Sequence, residues 1–198
     1  MISETILIII LLLILIIYYY KLNYYKVVYQ KADLDSKMYL VRDVHDKDKS
    51  ANMLAKIREN ILEINKHMIQ NVSNYKDMEP YIKQLNDKIK DKEIVIQEGA
   101  DDGIYTSYSV NKGEELVFCL RSRDPKKKDK LHDINLLMYV VLHEISHIAC
   151  PEFGHTELFK KIFAFITTKA IELGIYKKIN FRENNMEYCG MMITDSII

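Results

Sequence analysis

Proline and glycine are scarce, with three and six in 198 residues. A chain so poor in backbone breakers, with 48 % hydrophobic residues, excludes a disordered tail and points to an ordered domain. Net charge is missing as well. Twenty-eight Lys and Arg offset 28 Asp and Glu, so no global field draws a polyanion, and nucleic acid is not expected as a partner. The three cysteines, Cys119, Cys150 and Cys189, form no CxxC pair and no disulfide-dense pattern. Their odd number and wide spacing fit a reducing compartment. The length leaves room for one ordinary domain and an appendage.

The appendage is the amino terminus. Thr5 to Tyr20 reads TILIIILLLILIIYYY, without a charge, and as a helix it covers about 24 Å. Tyr18, Tyr19, Tyr20, Tyr24 and Tyr25, interleaved with Lys21 and Lys26, suit a headgroup zone. The start, MISET, lacks the basic region of a cleaved signal peptide. The sequence therefore predicts a transmembrane anchor with its flank over residues 1–26 and a folded domain over 27–198. Lys21, Lys26 and Lys31 follow the span, which places that domain in the cytosol by the positive-inside tendency.

Within the domain, Met38 to Val44 reads as a short strand and Asp46 to Lys49 as a turn. Ser50 suits a helix N-cap, followed by Met53, Leu54, Ile57, Ile61, Leu62, Ile64 and Met68 at helical spacing to about Ile69. Pro80 to Ile89 gives a second helix with Ile82, Leu85 and Ile89 on one face. Tyr105 to Val110 and Glu115 to Arg121 read as a hairpin closed by Asn111-Lys112-Gly113-Glu114. The basic run Arg121 to Lys130 reads as a solvated loop. An apolar helix follows from about Asp133 to Ala149, and another from Thr156 to Leu173, ended by Gly174.

Chemistry concentrates in LHEISH, Leu142 to His147. Two histidines four apart on a helix share a face, so His143 and His147 can aim ring nitrogens at one Zn²⁺. Glu144 is rotated about 100° from His143, which suits a general base acting on water rather than a ligand. Ile134, Leu137, Met138, Val141, Ile145 and Ile148 supply the apolar face that an internal helix needs. A catalytic zinc takes a third protein ligand and keeps an open position. The candidates are His155, Glu152 and Glu157, and the turn holding Pro151 and Gly154 favours His155. His45, His67 and His132 lie in charged contexts and read as surface residues. The strand Glu115 to Arg121 leads toward the metal helix and is a candidate edge for an extended peptide.

Three stretches carry a family resemblance: YTSYSVNKGEELVFCLRSR (Tyr105 to Arg123), LHEISHIACPEFGHTELF (Leu142 to Phe159), and AIELGIYKKINF (Ala170 to Phe181) with EYCGMMI (Glu187 to Ile193). The chain resembles zincin-type proteins of large nucleocytoplasmic DNA viruses, distantly similar to WLM and SprT-like metalloproteases. The resemblance covers roughly the last half of the chain. It implies zinc held by His143, His147 and His155, a catalytic Glu144, and a host-cell or virion membrane for the anchor.

Together these readings predict an α+β zincin-like domain with a small antiparallel sheet and an HExxH helix, preceded by a transmembrane helix. The predicted function is a membrane-anchored zinc metallopeptidase that hydrolyses peptide bonds in a protein or peptide substrate. The alternative is a non-catalytic, zinc-stabilised structural protein of a viral membrane.

Overall fold

The computed structural model describes residues 4–89, 94–100, 105–127 and 129–198, without the side chains of 4–5 and 21–25. The Lys21, Tyr24 and Tyr25 side chains of the expected flank and Lys128 of the basic run lie outside the described set. The chain opens with helix α1 (Glu4–Tyr25), followed by strands β1 (Val27–Lys31) and β2 (Met38–Arg42). Next come helices α2 (Lys47–Gln70) and α3 (Glu79–Ile89), then strands β3 (Val95–Glu98), β4 (Ser107–Val110) and β5 (Glu115–Phe118). Helices α4 (Ile134–Ala149) and α5 (Glu157–Glu172) precede a last hairpin, β6 (Met186–Tyr188) and β7 (Met191–Ile193).

The architecture is mixed α+β with small sheets. β1 and β2 pair antiparallel, with Val27 opposite Arg42. The second sheet has the order β3-β5-β4. β4 runs antiparallel to β5, Ser107 opposite Phe118, but β3 runs parallel to it, Val95 opposite Glu115. This corrects the expected antiparallel sheet: the four-residue strand β3 carries no strong pattern in the sequence and adds the parallel partner. It also corrects the expected substrate edge. β5 is hydrogen-bonded on both sides, and β4 forms an outer strand of that sheet.

Helices α2 to α5 pack on one another, with α2 also against β1, β2 and β3, and α4 against β4. The packing follows from spacing. Leu54, Ile57, Ile61, Ile64 and Met68 recur on one face of α2, and all are fully buried. In α4, Leu137, Met138, Val141, Leu142, Ile145 and Ile148 are fully buried too, each side chain contributing roughly 1.5–3 kcal/mol. Asp133 caps α4 by accepting the Asn135 amide at 2.8 Å, and Thr156 caps α5 by accepting that of Phe159 at 3.2 Å.

The expected anchor is also corrected. α1 forms, and Ile6 to Tyr20 are exposed along it. Yet among the described residues no helix is long and apolar enough to cross a membrane. The aliphatic run Ile6 to Ile17 covers about 18 Å as a helix, against a hydrocarbon core of about 30 Å. The single-pass placement, and with it the cytosolic orientation drawn from the lysines, falls.

Three local readings change because distant residues meet. Cys119 and Cys189 form a disulfide across a separation of 70 residues, with Cys150 free and buried, so the cysteines do not support a reducing compartment. Ser50 is not an N-cap, since α2 begins at Lys47; its hydroxyl accepts from Arg121 Nη2 at 2.7 Å. Arg121, expected at the start of a solvated loop, is 1 % exposed. Its Nε donates to Glu98 Oε1 at 2.8 Å and its Nη1 to the Asp129 carbonyl at 2.8 Å. Nη1 also lies 2.8 Å from Asp46 Oδ1, an ion pair by distance without the angle of a hydrogen bond.

The disulfide ties the last hairpin to the strand β5 side of the domain. Replacing both partners, Cys119→Ser with Cys189→Ser, is expected to lower the unfolding free energy by about 4 kcal/mol through the freed loop. Urea denaturation checks this, and an unchanged midpoint contradicts it.

Candidate metal centre

His143 and His147 stand one turn apart on α4, and His155 arrives from the Pro151 to His155 loop that leads into α5. Their Nε2 atoms form a triangle: 3.1 Å between His143 and His147, 3.1 Å between His143 and His155, and 3.2 Å between His147 and His155. Among the described residues this is the group of three metal-binding side chains that comes together. Three nitrogens placed tetrahedrally about 2.1 Å from one ion stand roughly 3.4 Å apart, so the triangle fits a zinc ion closely. Three imidazoles that bring the same ring atom to one point present a donor set that suits a cation.

Burial prepares two of the rings. It pushes the His143 pKa down to about 3, with the charges of His147 and His155 adding to it. It pushes His147 down to about 4, with His155 and Lys112 contributing. Both rings are therefore neutral near pH 7, the state that binds a metal. Aromatic walls hold them. Phe159 of α5 stacks on His147 with centroids 4.1 Å apart at 24°, and stands edge-on to His143 at 5.0 Å. Phe163, one turn further on, meets the edge of His143 at 5.3 Å.

Glu144 is outside the triad and only 7 % exposed. Burial alone pushes its pKa up to about 7. A carboxyl poised near neutrality can both take and return a proton. Tyr188 of β6 lies near enough to feel it: burial first, and then the Glu144 charge, raise the phenol, whose hydroxyl also bonds Ser107 Oγ of β4.

The other sequence candidates go elsewhere. Glu152 and Glu157 are exposed, and Glu157 pairs with Lys160 at 2.7 Å. His45 is exposed and His67 half-buried. His132 is a correction, being buried behind the last hairpin: the Cys189 amide donates to its Nε2 at 3.3 Å, and its ring packs on Tyr188 at 5.2 Å. Its charged neighbours in sequence hid that contact. Sequence reasoning also missed Phe159, Phe163 and Tyr188 at the site, although Phe159 stands one helical turn after His155. A cleft of about 430 Å³ lined by Tyr29, Gln97, Tyr105, Tyr108 and Glu115 includes none of the three histidines. The convergence of the ring nitrogens, and not this cleft, marks the centre.

The chain is 44 % identical over 170 residues to "Uncharacterized protein R325" of Acanthamoeba polyphaga mimivirus, covering 86 % of this chain and 84 % of that protein. It is 36 % identical over 96 residues to "Uncharacterized protein 136R" of Invertebrate iridescent virus 6, which is 48 % of this chain and 49 % of that one. With "Uncharacterized protein 042R" of Invertebrate iridescent virus 3 it shares 40 % over 70 residues, 35 % of this chain and 42 % of the relative. No family model and no solved structure matches.

Zinc titration of the metal-free protein is expected to show one site, lost in His143→Ala and in His147→Ala and weakened in His155→Ala. Free zinc at about 100 times Kd is expected to add about 2.7 kcal/mol to the stability of the wild type. Calorimetry and thermal melts read both effects. Wild-type zinc affinity in all three variants contradicts the assignment.

Proposed function

This chain belongs to the viral family of the mimivirus protein R325, and we propose that it is a zinc metallopeptidase that hydrolyses peptide bonds, with zinc held by His143, His147 and His155. The observation that carries this reading is the buried carboxyl of Glu144, next to the first ligand but not among the ligands. A site that only holds a fold together has no use for such a group, and it closes its coordination with four protein ligands. Here three donors converge among the described residues, and His155 is exposed. The resemblance to zincin-type viral proteins, distantly similar to WLM and SprT-like metalloproteases, supports the same reading.

When bound, zinc supplies Lewis-acid polarisation and brings the pKa of water toward 7. The protein's own groups do the rest. Glu144 accepts the proton of the attacking water at a carboxylate oxygen and delivers it to the leaving amine. Its environment, which raises its pKa to about 7, suits both halves of that transfer. Phe159 and Phe163 keep the imidazoles oriented and exclude water from their inner side. β4, outermost in its sheet and packed beside α4, offers main-chain groups to an extended substrate with little demand on its sequence.

Zinc-loaded wild-type protein is expected to cleave a panel of unfolded proteins, and Glu144→Gln to bind zinc equally well but cleave at least about 100-fold more slowly. Equal rates for the two contradict the role of Glu144. A fully loaded wild type that cleaves nothing contradicts the peptidase reading and favours the non-catalytic, zinc-stabilised alternative.

A further inference from the structure

The turn between β4 and β5 is the part of the TSYSVNKGE segment that the proposed chemistry leaves unused, and it is strained. Asn111 and Lys112 hold φ of 46° and 52°, the left-handed region, although neither is glycine. Asn tolerates that region, but a lysine there costs on the order of 1–2 kcal/mol and persists only where its surroundings fix it. Gly113 follows at φ 104°, and a Cβ there would meet Ile148 side-chain atoms at 3.1–3.4 Å. The turn therefore lies close against the last turn of α4, where a Cβ would crowd the Ile148 side chain and the positive φ favours glycine.

This position carries the Lys112 side chain to the loop that bears His155. Lys112 Nζ donates to the carbonyl of Cys150 at 3.1 Å and to that of Pro151 at 2.8 Å, and it lies 4.4 Å above the Phe153 ring. These carbonyls follow the end of α4 and have no further helical turn to satisfy them. Pro151 to His155 are exposed throughout. Among the described residues, Lys112 is the side chain outside the histidine triad that donates hydrogen bonds into this loop. A five-residue loop held otherwise by its ends needs such a tie to present one imidazole within a few tenths of an ångström.

We propose that Lys112 is the positioning residue of the metal centre: from a strained β-turn, its ammonium clamps the Cys150 to Phe153 backbone and so fixes His155 as the third ligand. This rests on the zinc reading above. It assigns the Asn111-Lys112-Gly113 turn a task in metal binding and not only in closing a hairpin. Lys112 touches neither metal nor substrate. It acts through the loop, lowering the ordering cost that His155 meets on binding.

The test is zinc affinity, measured by chelator competition on the full chain with Zn²⁺ alone. Lys112→Met is expected to bind zinc about 10- to 100-fold more weakly. Lys112→Arg keeps donors for both carbonyls and is expected to stay near wild type. The decisive comparison is made in the His155→Ala background, where Lys112→Met is expected to add no further loss. Melting temperatures of the metal-free variants identify any that fail to fold, and the arginine variant keeps the comparison available in that event. Wild-type affinity in Lys112→Met overturns the proposal, as does an equal loss in the His155→Ala background or failure of Lys112→Arg to restore binding. If His143→Ala and His155→Ala both bind zinc like the wild type, the metal reading itself has failed.

Discussion

A helix with almost no free face cannot turn about its axis without opening the core, and α4 is such a helix. Twelve of its residues are buried, among them Leu137, Val141, Leu142, Ile145 and Ile148. Their packing against the neighbouring helices and β4 leaves one rotation for the helix, and that rotation sets where His143 and His147 point. The same burial lowers the pKa of both imidazoles and raises that of Glu144. One constraint thus fixes the direction of two candidate ligands, keeps them unprotonated, and separates the adjacent carboxyl in both angle and pKa. Apolar packing and site chemistry are the same fact seen from two sides of one helix.

The remaining elements converge on α4 from several directions. Gln84 of α3 donates to the Ile148 carbonyl at 2.8 Å, and Gly113 lies where a Cβ would crowd the Ile148 side chain. α5 brings Phe159 and Phe163 to the rings. At the other end, Asn135 exchanges hydrogen bonds of 2.7 and 2.8 Å with the Lys177 backbone, so the tail begins by binding the first turn of α4. It then reaches the sheet, where Cys189 is linked to Cys119 and Tyr188 meets Ser107, and returns to α4, where the Ile197 amide donates to the Tyr139 hydroxyl at 3.1 Å. The segment after α5 therefore closes the domain and brings Tyr188 near Glu144.

What was legible in the sequence was local and periodic. The spacing of Leu54, Ile57, Ile61, Ile64 and Met68 marked α2, and Asp133 and Thr156 marked two helix starts. His143, Glu144 and His147 were visible as a motif because their relation spans a single turn. His155 was one of three candidates, since a loop carries no period to fix which residue turns inward. What was not legible depended on pairing between distant positions. Cys119 and Cys189 read as unpaired, Arg121 as solvated, and His132 as a surface residue, because each is buried by a partner far along the chain. The strand Val95–Glu98 was too short to stand out, and without it β5 looked like an edge. The apolar run at the amino terminus shows the limit of composition: it forms a helix, but apolar character alone did not establish a membrane crossing.

In the proposed centre, three imidazoles hold one zinc ion and leave a position open beside Glu144. Anomalous diffraction at the zinc edge from crystals of the zinc-loaded chain tests it most directly. One peak is expected about 2.0–2.1 Å from Nε2 of His143, His147 and His155, with no fourth protein ligand. A peak elsewhere, or a fourth protein side chain completing the shell, would contradict it.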